Sequence, residues 1–241
     1  MKVIICDNKK EVAIEFSRIV ANEIKRKPNL VLGLATGRTV IPLYKELVKL
    51  YKKDKIDFSK VRTFNLDEYV NLPVSDKGSF RKFMEKYLFS KINLKKENIH
   101  FLDGNVKIFK KEAQRYENEI KKVGGIDLQV LGIGRNGHVG FNEPGSKINS
   151  LTRIVKLSEN TWKVNSSFFT FKKVPKTALT MGIRTILKAD KIVIIATGKE
   201  KSEIIGELIN SKIDEELPAS FLKMHKNFII LLDKNASKKI K

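Results

Sequence analysis

Short apolar runs alternate with amphipathic stretches along this chain, and the alternation predicts the fold. VIIC (3–6) precedes a helical pattern over 9–26, and LVLGLAT (30–36) precedes another over about 40–53. VRTFNL (61–66) leads to a helix near 79–90, and IHFL (99–102) to a charged helix near 108–122. IDLQVLGIG (126–134), KIVIIAT (191–197) with a helix near 200–210, and FIILLD (228–233) complete the series. Near-continuous apolar strands separated by helices predict an α/β fold: a mostly parallel, twisted, Rossmann-like sheet with helices on both faces, in one domain over 1–241. The stretch from about 146 to 176 breaks the rhythm, being polar with scattered aromatics (Trp162, Phe168, Phe169, Phe171). It reads either as a flap or lid over a site or as a packed excursion.

Composition changes this picture little. A hydrophobic share of 41% with 31% charge fits a folded globular chain. No apolar run reaches the roughly 18 residues of a membrane span, so no membrane partner is expected. The opening MKVIICDNKKEVAIEF soon meets Asp7, Lys9, Lys10 and Glu11, which reads as a first strand rather than a signal peptide. Cys6 stands alone, offering neither a disulfide framework nor a thiolate metal site, and a reducing cytoplasm is the expected setting. The net charge of +21 raises the question of nucleic acid. Yet 39 lysines stand against 9 arginines, they are dispersed, and no basic-aromatic signature interleaves with them. The charge reads as a solvated surface whose field steers anionic metabolites, with no nucleic-acid partner.

In sheets of this kind ligands bind beyond the carboxyl ends of the strands, and the chemically dense segments fall there. ATGRT (35–39) places Gly37 in a turn and Thr39 at a helix start with free N–H groups. That is an anion site or, equally, a structural glycine turn. LDEY (66–69) puts adjacent carboxylates at a strand end, where side-chain alternation lets at most one of Asp67 and Glu68 face a cleft. GIGRNGHVGFNEPG (132–145) holds His138, the residue type suited to acid–base work, and Glu143, placed to fold back and orient it. The alternative is a lone loop histidine beside an N-capping Asn142. His100, His138 and His225 are far apart and no metal-ligand spacing occurs, so no metal is expected.

Together, GLATGRT, RTFNLDEYVNLP, GGIDLQVLGIGRNGHVGFNEPG, TRIVKL, VPKTALTMGI and PASFLKMH resemble the glucosamine-6-phosphate deaminase (isomerase-deaminase) family over nearly the whole chain. A weaker resemblance extends to 6-phosphogluconolactonases. The resemblance implies conversion of glucosamine 6-phosphate and water to fructose 6-phosphate and ammonium, a hydrolase of amino-sugar metabolism without metal or organic cofactor. It implies that Asp67 moves a proton between C2 and C1. It implies that His138 opens the pyranose ring with Glu143, Asn136 belonging to the same relay. Gly37, Thr39 and Lys201 match positions around the sugar phosphate. Longer members carry a C-terminal extension and form regulated hexamers, so a monomer or small homo-oligomer is expected.

The departures lie at the phosphate end. The family pattern has a small residue at Arg38, Pro at Val40, Gly at Arg184, and a flap Arg at Ser167. One phosphate cation is thus missing from the flap while two arginines enter near the base of the site. Either Arg38 now clamps the phosphate, or it plugs the pocket. The rival readings are a phosphosugar-binding or sensing protein with a degenerate site, and an isomerase or lactonase acting on another phosphosugar.

Overall fold

The computed structural model describes residues 1–159, 161–162 and 175–240. Among the described residues ten strands run in chain order: β1 (Lys2–Cys6), β2 (Val31–Leu34), β3 (Arg62–Asn65), β4 (Asp67–Tyr69), β5 (Ile99–His100), β6 (Leu128–Gly132), β7 (Arg153–Lys156), β8 (Thr177–Thr180), β9 (Lys191–Ala196) and β10 (Phe228–Asp233). The helices are α1 (Lys9–Arg26), α2 (Ile41–Lys52), α3 (Phe80–Tyr87), α4 (Phe109–Lys122), α5 (Ile183–Leu187) and α6 (Ser202–Asn210).

Seven strands form a parallel sheet in the order β1-β10-β9-β6-β2-β3-β5. In β2 all four successive residues are buried, and β9 and β10 are nearly as enclosed. Alternate side chains point to opposite faces, so burial of consecutive residues means that both faces are covered. The helices supply the cover. In α1 the side chains of Val12, Ala13, Phe16, Val20 and Ile24 are buried at helical spacing, and Asn8 caps its start by accepting from the N–H groups of Lys10 and Glu11. The parallel sheet expected from the apolar runs is the one observed, with its strands and covering helices close to the expected bounds.

The strand order reverses at β2. From there β3 and β5 build one way, while β6, β9, β10 and β1 build the other. Loops leaving β2 and β6 therefore diverge, opening a crevice at their carboxyl ends. ATGRT leaves β2, and GIGRNGH leaves β6.

Three further strands form a separate antiparallel sheet, β4-β8-β7, that the apolar pattern does not announce. It packs a second small core of Tyr69, Leu72, Phe141, Leu157 and Ala178. Of the segment expected as a lid at 146–176, Arg153–Lys156 forms the outer strand of this sheet, which is the packed excursion. Residues 160 and 163–174, including Ser167, Phe168, Phe169 and Phe171, lie outside the described residues. Among the described residues no helix is long and apolar enough to cross a membrane.

Candidate active site

A cavity of about 430 Å³ occupies the crevice between the loops that leave β2, β3, β6 and β9. Asp67, Asn136, His138, Gly37, Arg38, Thr39 and Lys201 all line it. Glu143 stands immediately behind, bonded to Asn136. Positions spread over the whole chain thus meet in one place.

Asp67 arrives there through a change of sheet. Leu66 still bonds to β2, its N–H donating to the Leu34 carbonyl at 3.0 Å. The chain then leaves the parallel sheet, and Asp67, Glu68 and Tyr69 pair with Thr180, Leu179 and Ala178 of β8. Alternation turns Asp67 and Tyr69 into the cavity. Glu68 points elsewhere and accepts the N–H groups of Tyr69, Phe80 and Arg81 at 2.9–3.0 Å, tying β4 to the start of α3. Asp67 and Glu68 are 6% and 4% exposed. Burial, followed by the charge of Glu68, pushes the Asp67 carboxyl up to about 8. Glu68 is also pushed up by burial, but its three backbone donors and Arg81 oppose that rise, so Glu68 is the first of the pair to ionise.

His138 is held by a short chain of hydrogen bonds. Its Nδ1 lies 2.7 Å from Oδ1 of Asn136, and Nδ2 of Asn136 donates to Oε2 of Glu143 at 2.7 Å. An amide whose nitrogen faces a carboxylate presents its oxygen to the ring, so Nδ1 carries the proton and Nε2 is the basic atom. Glu143 Oε2 is 3.6 Å from Nδ1, and Glu143 Oε1 accepts from Ser158 Oγ at 3.1 Å. Burial raises the Glu143 carboxyl, but hydrogen bonding and charge from His138, then Thr161 and Asn136, outweigh it and hold Glu143 down at about 2. The carboxylate therefore stays ionised and the imidazole keeps its orientation.

The glycines of this loop have distinct tasks. A Cβ at Gly134 would stand 2.2 Å from the His138 ring, so only glycine lets the imidazole lie against the loop. Gly137, at φ +80°, occupies the left-handed region that side chains avoid. Asn142 is not a helix cap. It is fully buried, donates to the carbonyls of Val139 and Met181 at 2.9 and 2.8 Å, and accepts from Arg153 at 2.8 Å. It pins the loop 132–145 to the exit of β8.

At the other end of the cavity Gly37 turns the chain at φ +113° into the 3-10 turn Arg38–Val40, which runs into α2. Lys201 enters from the loop after β9, its Nζ donating to the Ile133 carbonyl at 2.7 Å. Burial, then the charge of Arg135, lowers the Lys201 pKa.

A scan against family models matches residues 7–230 to the glucosamine-6-phosphate isomerases/6-phosphogluconolactonase family. The chain belongs to that family. A glucosamine-6-phosphate deaminase of Thermoanaerobacter sp. (strain X514) is 48% identical over 238 residues, spanning 98% of this chain and 94% of that one. Glucosamine-6-phosphate deaminase 1 of Giardia intestinalis is 46% identical over 228 residues, 94% of this chain and 86% of its own. Among solved structures, a monomeric glucosamine-6-phosphate deaminase superposes with TM-score 0.97 at 40% identity, over 99% of this chain and 100% of that one. A 6-phosphogluconolactonase from Leishmania guyanensis shares the fold, with TM-score 0.77 at 21% identity over 100% and 98% of the two chains.

One sequence-based placement needs correcting. Arg184 was expected near the base of the site, but it sits exposed on α5 and does not line the cavity. Its neighbours Ile183, Thr185 and Ile186 take the buried positions of that short helix, leaving Arg184 outward. Sequence reasoning also missed several lining residues. Phe80 and Phe83 project from α3, Tyr69 and Phe141 pack against Phe80, and Arg135 borders the mouth. The i, i+3 spacing of Phe80 and Phe83 was visible, but which wall it faced was not.

Proposed function

We propose that this protein converts glucosamine 6-phosphate and water to fructose 6-phosphate and ammonium. The observation that supports it best is the meeting of a buried carboxylate, Asp67, with the His138–Asn136–Glu143 chain in one cavity. The chemistry needs two separate proton movers, and the site has two.

His138 Nε2 takes the proton of the anomeric hydroxyl and returns one to the ring oxygen, which breaks the C1–O5 bond and leaves an open-chain aldehyde. The ionised Glu143 steadies the imidazolium formed on the way. Asp67 then removes the proton from C2, made acidic by the adjacent carbonyl, and delivers it to C1. One proton of the C2 ammonium passes to the C1 oxygen, so the product is a C1 alcohol with an iminium at C2, and water adds there to expel ammonium and leave the ketone. The reaction is an isomerisation followed by hydrolytic loss of ammonium. Asp67 must be ionised to act, and the substrate ammonium on C2 brings a positive charge beside a carboxyl that burial has raised to about 8. Binding therefore generates the base it requires. The phosphate is a handle, held by the turn Gly37–Thr39, Arg38 and Lys201, and its binding energy places the reacting carbons. We assign the protein to the cytoplasm and read it as a monomer or small oligomer.

A phosphosugar-binding protein with little turnover is the second reading, favoured by Arg38 lining the cavity where the family pattern has a small residue. Ammonium release from glucosamine 6-phosphate, measured beside a panel of other hexose phosphates, decides. Release confined to glucosamine 6-phosphate supports the deaminase. Tight binding of the panel without ammonium release supports the binder.

A further inference from the structure

We infer that Arg135 is a phosphate ligand: with Lys201 it forms a cationic wall that takes the sugar phosphate in the cavity. The inference rests on the deaminase reading and names a recognition residue for it.

Arg135 lines the cavity and is exposed, immediately before the relay residue Asn136. Arg135 and Lys201 line the same cavity, and the charge of Arg135 acts on Lys201. Lys201 is itself fixed to this loop through its bond to the Ile133 carbonyl. Among the described residues Arg135 makes no hydrogen bond or ion pair, whereas Arg18, Arg26 and Arg115 each hold a carboxylate. Two like charges side by side repel in an empty site and are drawn together once a dianion bridges them. A guanidinium fork matches two phosphate oxygens, and an ammonium complements it as a point charge. Glu200 also lines the cavity and partly offsets Lys201, but its carboxylate is folded onto the Gly198 turn, where a Cβ would stand 2.4 Å from Oε2. The turn Gly37–Thr39 shares the same cavity, so its backbone and Thr39 hydroxyl add neutral donors to the two cations. Because Arg135 adjoins Asn136, capture of the phosphate also anchors the loop that carries His138.

The test compares the native chain with Arg135→Ala and Arg135→Lys. Inorganic phosphate is titrated by calorimetry, and turnover is followed as ammonium release. The alanine variant is expected to weaken phosphate binding and raise the KM for glucosamine 6-phosphate, each by about tenfold, with kcat within about threefold. The lysine variant should recover part of the loss, keeping the charge without the fork. Unchanged phosphate affinity in the alanine variant overturns the inference. So does a fall in kcat at unchanged phosphate affinity, which would mark a merely structural loop residue. If Arg135 governs phosphate binding while the native chain releases no ammonium, the inference stands and the deaminase reading falls. If the native chain turns over and the alanine variant matches it in both measurements, the reading stands and the inference falls.

Discussion

The two ends of the cavity are built by different means. At one end the side chains are short and locked: Asp67 is buried on a strand, and the half-buried His138, Asn136 and Glu143 are joined by 2.7 Å hydrogen bonds. At the handle end Arg38 and Arg135 are long, exposed side chains on turns, beside a partly buried Lys201. Proton transfer requires atoms placed to within a fraction of an ångström, whereas a phosphate needs charge and donors within reach. The departures from the family pattern follow this division. The residues matching the family's proton-moving positions, Asp67, Asn136, His138 and Glu143, are all present, while Arg38 and Val40, which depart from the resembled pattern, line the other end of the cavity.

The strongest test of the division is Asp67→Asn. It keeps shape and removes the base, so kcat should fall by about 100-fold or more while KM stays within about tenfold. Near-normal kcat would remove Asp67 from the mechanism and with it the distinction between the two ends. The same variant carries a stability signature. In the folded state the Asp67 carboxyl is raised to about 8, against about 4 in the unfolded chain. Between those values the folded protein holds a proton that the unfolded chain has lost, so stability falls as pH rises through that window. Asparagine cannot ionise. Its melting temperature should therefore gain on the native protein as pH goes from about 4 to about 8, and a gap independent of pH would contradict the burial argument.

Next in size are the changes at the imidazole. His138→Gln and Glu143→Gln should each slow the cyclic sugar by about 10- to 100-fold, on the usual scale for general acid–base groups. An open-chain analogue should be slowed far less, since it needs no ring opening. Equal slowing of both substrates would separate these residues from that step. Gly134→Ala should reproduce a milder form of the same defect, about tenfold on the cyclic sugar, because its methyl would displace the ring it now touches. An alanine variant with native kinetics would show that the ring position is not fixed by this contact.

Much of this was legible beforehand, for physical reasons that differ by element. The parallel strands were readable because strands buried on both faces must be apolar along their length, as in KIVIIAT and FIILLD. The division of Asp67 from Glu68 was readable from strand alternation alone. The small sheet was not, because β4 has three residues, two of them acidic, and β7 reads Arg-Ile-Val-Lys with no continuous apolar run. Arg135 was hidden for another reason. Within GIGRNGH it looks like one more surface cation, and only the meeting of the β6 and β9 loops brings it to the same cavity as Lys201. Arg184 misled for the converse reason, since nearness in sequence to β8 does not decide which side of α5 faces inward.

The smallest expected effect bears most directly on the handle, and its sign matters more than its size. Arg38 follows Gly37 at the turn into α2, a helix of twelve residues whose first N–H groups favour an anion. Its side chain lines the same cavity as Lys201 and Arg135. If it acts as a clamp, its planar fork contributes charge-assisted bonds to the phosphate. Arg38→Ser should then raise KM for glucosamine 6-phosphate by about tenfold, equivalent to about 1.4 kcal/mol, with kcat little changed. The loss is moderate because Lys201, Arg135 and the turn's own N–H groups remain. If Arg38 instead fills the pocket, the serine variant opens it and binds the phosphosugar more tightly. Direct titration of both proteins with glucosamine 6-phosphate distinguishes these outcomes by direction. Weaker binding means that charge has migrated along the handle while function persists. Tighter binding means that the handle has begun to close around an intact reacting end, and the protein should then be examined as a binder of some smaller anion.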